Sequence, residues 1–406
     1  MRPSSSGSEP ATGLFDAISR RGPVAAIVAD TAYLQAMLDT EAALARAQTR
    51  AGLVPADHAD AIVRACRASR FDIDELGRKA AAAGNPVVPL VEQLREAVGD
   101  AAAEHVHAGA TSQDILDTAT MLIARQALTA IVGDIDTAGD AAARLASGHR
   151  RTVMAGRTLL QQALPTTFGA KAAGWLSGLD DAAELLGSLR DRRLAVQLGG
   201  GAGTLASLHP HGPKVVALLA EELGLAASTV PWHTNRSRIG ELAGALGVAA
   251  GALAKPARDV TLLAQAEVGE VREGVAGRGG SSAMPHKRNP VAAIATLANT
   301  AQVPGLVATV LAAAAGHEHE RAAGGWHAEW HPLRELFVSV GSAAAWLGDC
   351  LVHLEVDPTR MRANIGADLE QYLEPAPFLA STGDIVTAAV RRHAARREGP
   401  SREDPA

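Results

Sequence analysis

The sequence predicts an all-α protein: a long central helical bundle with smaller helical regions at its N- and C-terminal ends. Three observations predict it. Apolar residues make up 47% of the 406 residues but aromatics only 3%, a balance that suits close-packed alanine-rich helices better than strands, which favour aromatic and β-branched side chains. Apolar residues recur at alternating spacings of three and four, as in Leu128, Ile131, Ile135, Ala138, Ala142 and Leu145, which is the seam of a helix packed in a bundle. Glycine and proline clusters separate these runs.

Composition also narrows the function. The 44 acidic residues exceed the 38 basic ones by six, and the basic residues are scattered rather than interleaved with aromatics, so nucleic acid is not an expected partner. Cys66 and Cys350 stand far apart without metal-ligand spacing, which indicates neither a disulfide framework nor a zinc site and fits a reducing cytoplasm. The run Val291 to Gly316 is interrupted by Asn299, Gln302 and Pro304, so it is expected to be a helix buried among other helices, not a membrane span.

In chain order, residues 1–13 are rich in Ser, Pro and Gly and lack the apolar stretch of a secretion signal, reading as a disordered leader. Residues 14–105 read as an N-terminal domain of short helices, with Tyr33 to Gly52 at helical spacing and a helix start after Val54-Pro55. Gly84-Asn85-Pro86-Val87-Val88-Pro89-Leu90 reads as a loop, because two prolines and a Gly-Asn pair oppose continuous helix. Residues 106–346 form the expected central bundle. It opens with His107 to Asp114, where Thr111 and Ser112 are good helix caps and potential carboxylate ligands.

Arg157, Thr158 and Gln161 follow, donors suited to carboxylate oxygens. The glycine loop around residues 199–203 has no strand before it, which weakens a nucleotide reading. Arg236 to about Ala276 reads as one long helix, seamed by Ile239, Leu242, Leu246, Ala249 and Leu253 and kinked or interrupted at Pro256. Gln265, Glu267, Glu270 and Arg272 read as a solvated polar face. Beyond residue 316, Arg321 is a second candidate carboxylate clamp, and His327 and His331 lie four apart without a third ligand for a metal. Residues 347–406 form a short C-terminal helical region with a charged tail frayed from Arg391.

The strongest signal is the loop 277–290, containing Gly279-Gly280-Ser281-Ser282-Ala283-Met284-Pro285-His286-Lys287-Arg288-Asn289-Pro290. Glycines free the backbone, Asn289-Pro290 reads as a cap and first-turn proline, and the helix start beside Lys287 is an expected anion site. A serine acts as base or acid only where its alkoxide is stabilised, here by loop N–H groups and Lys287.

This loop resembles the Gly-Ser-Ser-x-Met-Pro-x-Lys-x-Asn signature of the fumarase/aspartase superfamily, and Thr111-Ser112-Gln113-Asp114 resembles its Thr-Ser-x-Asp motif. The resemblance implies that Ser281 is the catalytic acid or base and that Lys287 and Asn289 support the enediolate-like intermediate. His107, Thr111, Ser112, Arg157, Thr158, Gln161, Ser282, Met284, His286 and Arg321 then bind substrate, without metal or cofactor. Lyases of this superfamily carry a histidine where this chain has Leu159. Gly156 to Pro165, Gly84 to Leu90 and His317 to Arg321 with Trp326 to Trp330 resemble the 3-carboxy-cis,cis-muconate cycloisomerase branch.

That branch implies lactonisation of a tricarboxylate to carboxymuconolactone in the protocatechuate branch of the beta-ketoadipate pathway, by a homotetramer whose active sites are shared between chains. The missing histidine agrees with it, since a carboxylate that attacks or leaves needs no proton. The region after Gly366 is shorter than that branch usually has. The alternatives are a fumarate-releasing lyase of adenylosuccinate or argininosuccinate type, or a non-catalytic oligomeric relative.

Overall fold

The computed structural model describes residues 13–373, 379 and 381–398; apart from Gly13, the expected leader lies outside them. Seven helices organise the chain: α1 (Asp30–Ala51), α2 (Ser112–Gly148), α3 (Phe168–Arg192), α4 (Ser237–Leu263), α5 (Val291–Ala315), α6 (Gly325–Val352) and α7 (Thr382–Glu398). Helix α2 packs on α3 and α6, and α5 lies between α4 and α6. Shorter helices before α2 close one end.

The predicted seams lie inside this bundle. Leu128, Ile131, Ile135, Ala138 and Ala142 on α2, and Ile239, Leu242, Leu246, Ala249 and Leu253 on α4, are all buried. Alanine permits this, because a small side chain lets two helix axes approach without leaving voids.

Helix α5 differs from the expectation of a buried helix. Helices α2, α5 and α6 are each long and apolar enough to span a membrane, but 67% and 78% of the apolar windows of α2 and α6 are buried in the fold, against 39% for α5. Ile294 and Leu311 of α5 and Val248 of α4 face outward.

Several further expectations are corrected. The run from Arg236 is helical only to Leu263. Gly269, with a left-handed φ of +61°, turns the chain so that β3 (Val271–Glu273) pairs antiparallel with β4 (Leu354–Val356). Pro256 does not interrupt α4, which continues through it to Leu263. Residues 87–90 begin a helix, Val87–Val98, because the Asn85 carboxamide oxygen accepts from the Val87 N–H at 3.0 Å, and Pro89 falls in the first turn, where no N–H is required.

Between α2 and α3 stands a β-hairpin, β1 (Val153–Thr158) against β2 (Gln161–Thr167), joined at Leu159-Leu160. Neither strand shows clean alternation, which concealed it from the sequence reading. The C-terminal helix is not frayed at Arg391. His393 bridges Asp180 at 2.8 Å and Asp140 at 2.9 Å, and Arg396 reaches Asp136 and Asp180 at 2.6 and 2.9 Å, anchoring α7 to α2 and α3.

Candidate active site

The loop 277–290 leaves β3 and enters α5, and a pinch between Gly279 and Asn289 closes its neck. The Asn289 backbone N–H and carboxamide N–H both donate to the Gly279 carbonyl, at 2.8 and 3.1 Å. Gly279 has φ +77°, and a Cβ there would lie 2.2 Å from the Asn289 carbonyl oxygen, so only glycine fits. Inside the loop, Ser281 Oγ accepts from the N–H groups of Met284 at 3.2 Å and Ala283 at 3.3 Å. Two N–H dipoles aimed at one hydroxyl oxygen are the arrangement that favours its alkoxide.

The helix start is used differently from expectation. Asn289 does not cap α5: the N-cap position is Pro290, and the Asn289 side chain is spent on Gly279. The first free N–H groups of α5, from Ala292 and Ala293, donate to the Glu273 carboxylate at 3.2 and 3.0 Å. A carboxylate of this chain therefore occupies that part of the anticipated anion site. Arg278 lies 3.3 Å from Glu273 and also pairs with Asp349, tying the start of the loop to α6.

His286, Lys287 and Asn289 line a cavity of about 880 Å3 together with Gln265, Arg272 and Glu355. Ser281, Ser282 and Met284 lie outside this lining.

A second group of candidates gathers at the start of α2. Asp114 accepts from Thr111 N–H (2.9 Å), Gly199 N–H (3.0 Å) and Gly200 N–H (2.9 Å), and His233 Nε2 lies 2.6 Å away. This buried carboxylate fastens the glycine loop to the Thr111-Ser112 turn. Gly199 leaves no room for a side chain, its Cβ position lying 2.7 Å from His233. Arg321 donates to the Gly200 carbonyl at 2.6 Å, which brings it to the same turn. His107, at φ +61°, sits 2.6 Å from the buried Glu41. Burial opposes its charge, but the Glu41 carboxylate outweighs that and holds the imidazole pKa above its ordinary value.

Arg157 stands apart from both groups. Its guanidinium grips Glu270 with two hydrogen bonds, 2.6 and 3.0 Å, and Asn364 adds a third to the same carboxylate at 2.9 Å. Glu270 is thus fully buried rather than part of a solvated face, and Arg157 is a tie between hairpin and body within the chain. Thr158 and Gln161 flank the hairpin tip, both exposed. At the tip Leu159 is 96% and Leu160 75% exposed, at φ +50° and +65°, a left-handed turn that leucine adopts only at a cost.

Among the described residues no hydrogen bond or ion pair joins the loop 277–290, the Thr111 turn and the Arg157 hairpin to one another. No group of three or more His, Cys, Asp or Glu there is arranged to hold a metal. His327 contacts the Gly84 carbonyl at 2.9 Å and meets the Trp326 ring edge-on and the Trp330 ring at a tilt. Burial raises both thiol pKa values, for Cys66 with Glu41 and for Cys350 with Glu273 adding to it, so neither is a ready nucleophile.

A family model described as lyase matches residues 9–305, a span that contains the loop 277–290, the Thr111 turn and the Arg157 hairpin. The chain belongs to this lyase family. Within it, the lyase-family chain is 49% identical over 361 residues to a 3-carboxy-cis,cis-muconate cycloisomerase of Pseudomonas aeruginosa, covering 88% of this chain and 78% of that one. It is 48% identical over 366 residues to a nitrosuccinate lyase of Streptomyces davaonensis, covering 87% and 77%. The crystal structure of the 3-carboxy-cis,cis-muconate lactonizing enzyme from Pseudomonas putida superposes with a TM-score of 0.88 at 39% identity, over 94% of this chain and 99% of that one.

Sequence reasoning on this lyase-family member missed Asp114, Glu270 and Glu273 as the carboxylates that position the site. Asp114 carried a signal, three residues after a threonine cap, the spacing of a capping box. Glu270 and Glu273 carried none, because their partners lie at the hairpin and at the start of α5.

Proposed function

We propose that this protein is a cofactor-independent cycloisomerase that lactonises 3-carboxy-cis,cis-muconate to carboxymuconolactone. The observation that carries the reading is Ser281 Oγ held by the N–H groups of Ala283 and Met284, on the loop that carries Lys287, in a chain with leucine at the hairpin tip. One substrate carboxylate oxygen bonds to the far carbon of a conjugated double bond, and the π electrons move to the α carbon and its carboxylate. Lys287 and the loop N–H groups stabilise that charge. Ser281, or a donor beside it, then delivers a proton to the α carbon. No group leaves: the trianion takes up one proton overall to give the lactone dianion, Ser281 regains from solvent the proton it delivered, and the free acids of substrate and product are isomers.

The same separation supports an assembly of several copies. A homotetramer with sites shared between chains joins the three groups that one chain keeps apart, and the outward apolar face of α5 with Ile294 and Leu311 supports burial against further copies. The two free, buried cysteines fit a cytoplasmic setting.

A second reading has one specific support, the 48% identity to a nitrosuccinate lyase. Nitrite, like a carboxylate, leaves as a stable anion without needing a proton, so Leu159 suits both reactions. The deciding experiment is an ultraviolet assay of the purified protein with 3-carboxy-cis,cis-muconate, without added metal. Loss of the diene absorbance with lactone formed establishes the cycloisomerase. Release of nitrite from nitrosuccinate without lactonisation moves it to that lyase, and fumarate from adenylosuccinate or argininosuccinate to those lyases. Silence on all of them leaves a non-catalytic relative.

A further inference from the structure

A cavity of about 400 Å3 is lined by the N-terminal helices and the bundle, and none of the candidate site residues is among its lining, although Asp117 stands one turn beyond the Thr111 turn. That volume is typical of a small-molecule site. Its walls are apolar, with Leu34 and Met37 from α1, Leu116 from α2, Ile239 from α4 and Leu333 from α6, all buried. Its polar lining is unbalanced: the carboxylates of Asp30, Asp74, Asp117 and Glu329 face only two guanidiniums, Arg236 and Arg334, an excess of two negative charges.

The imbalance is built into the floor. Arg236 reaches Asp117 at 2.7 Å and Glu329 at 2.6 Å, with side chains 1%, 3% and 3% exposed. One cation held by two buried anions leaves a negative charge where desolvation is costly, spread over the neutral donors Gln113 and Trp326, each 3.1 Å from Asp117, and His317 Nε2, 3.2 Å from Glu329. Burial holds the Glu329 carboxyl above its ordinary pKa, against the pull of Arg236, which agrees with a site short of positive charge. At the mouth Arg334 is engaged, 2.8 Å from Asp30 and stacked over Tyr33, whereas the exposed Asp74 has no ion-pair partner among the described residues.

We propose that this cavity binds a small organic cation, an ammonium group carried on an apolar body, at a site separate from that of the tricarboxylate. The apolar walls take the body, and the ammonium adds positive charge to a floor where Arg236 is the one guanidinium that reaches both Asp117 and Glu329. A tricarboxylate is excluded by the same excess charge.

Calorimetry on the full chain with three probes of one shape tests this: phenethylammonium, neutral 2-phenylethanol and anionic phenylacetate. The ammonium is expected to bind at least about tenfold more tightly than either isostere. Gly77 lines the mouth, and a Cβ there meets nothing within 4 Å, so Gly77→Trp fills the entrance and abolishes binding. Asp74→Lys, on the surface, weakens it by about threefold or more and stands in if the first variant does not fold. Saturating tricarboxylate leaves the amine's affinity unchanged. Equal binding of phenylacetate, full binding in Asp74→Lys or in folded Gly77→Trp, displacement by the tricarboxylate, or no binding overturns the proposal.

Discussion

The Glu273 carboxylate accepts a hydrogen bond from the Ala293 N–H at 3.0 Å, closing the start of α5 from within the chain. A second N–H, from Ala292, and the guanidinium of Arg278 meet the same carboxylate. The helix dipole is therefore used to hold the base of the loop 277–290 from within the chain. Glu273→Gln keeps the shape but removes the charge that both the helix end and Arg278 require. Thermal unfolding should show a loss of about 1–2 kcal/mol, with turnover falling further than stability; unchanged turnover would mean that the loop does not depend on this tie.

Ser281→Ala removes the hydroxyl that Ala283 and Met284 address. Lactonisation should drop by about 10²–10⁴-fold, while the oligomer measured by light scattering stays the same. A rate near that of the parent protein would refute the role given to Ser281.

Gly279→Ala places a methyl group 2.2 Å from the Asn289 carbonyl oxygen at φ +77°. The neck of the loop must open, which displaces Lys287 and Asn289 together. The expected signature is a large fall in kcat with a nearly unchanged melting temperature, since the loop contributes little to the core.

Arg157→Ala leaves Glu270 buried with only Asn364 to satisfy it. Removing one partner of such a pair costs about 3 kcal/mol, which denaturant unfolding would register, and the double variant Arg157→Ala with Glu270→Gln should recover part of it. Leu159→His, at the exposed hairpin tip, should not improve lactonisation; an improvement would show that the reaction does need a proton carrier there.

The His107–Glu41 contact makes a pH prediction with a definite sign. The folded-state pKa of His107 is raised, so the pair's contribution is complete below the unfolded value of about 6.5 and is lost as pH rises through the raised value. The stability gap between the parent protein and His107→Asn, which tolerates the left-handed backbone, should shrink as pH rises through that range. A gap that widens with pH would reverse the assignment.

The sequence by itself determined the class of fold, the two main seams and the loop 277–290. These are local properties: helical period, alanine content and the glycine, proline and serine chemistry of one short stretch are carried by residues close together in the chain. The hairpin at Leu159-Leu160, the true end of α4 and the anchored α7 were illegible because each depends on partners far along the chain: Asn364 and Gly366 for Gln162, Val356 for Val271, Asp136 and Asp180 for Arg396.

The same distinction runs through the site. Ser281, Lys287, Thr111 and Arg321 could be named from residue type and spacing, but only the tertiary structure decided which charges are already spent. Arg157 is held by Glu270 and the start of α5 by Glu273, and a sequence does not reveal such pairings, because Coulomb and hydrogen-bond energies depend on distance in space and on burial, not on separation along the chain.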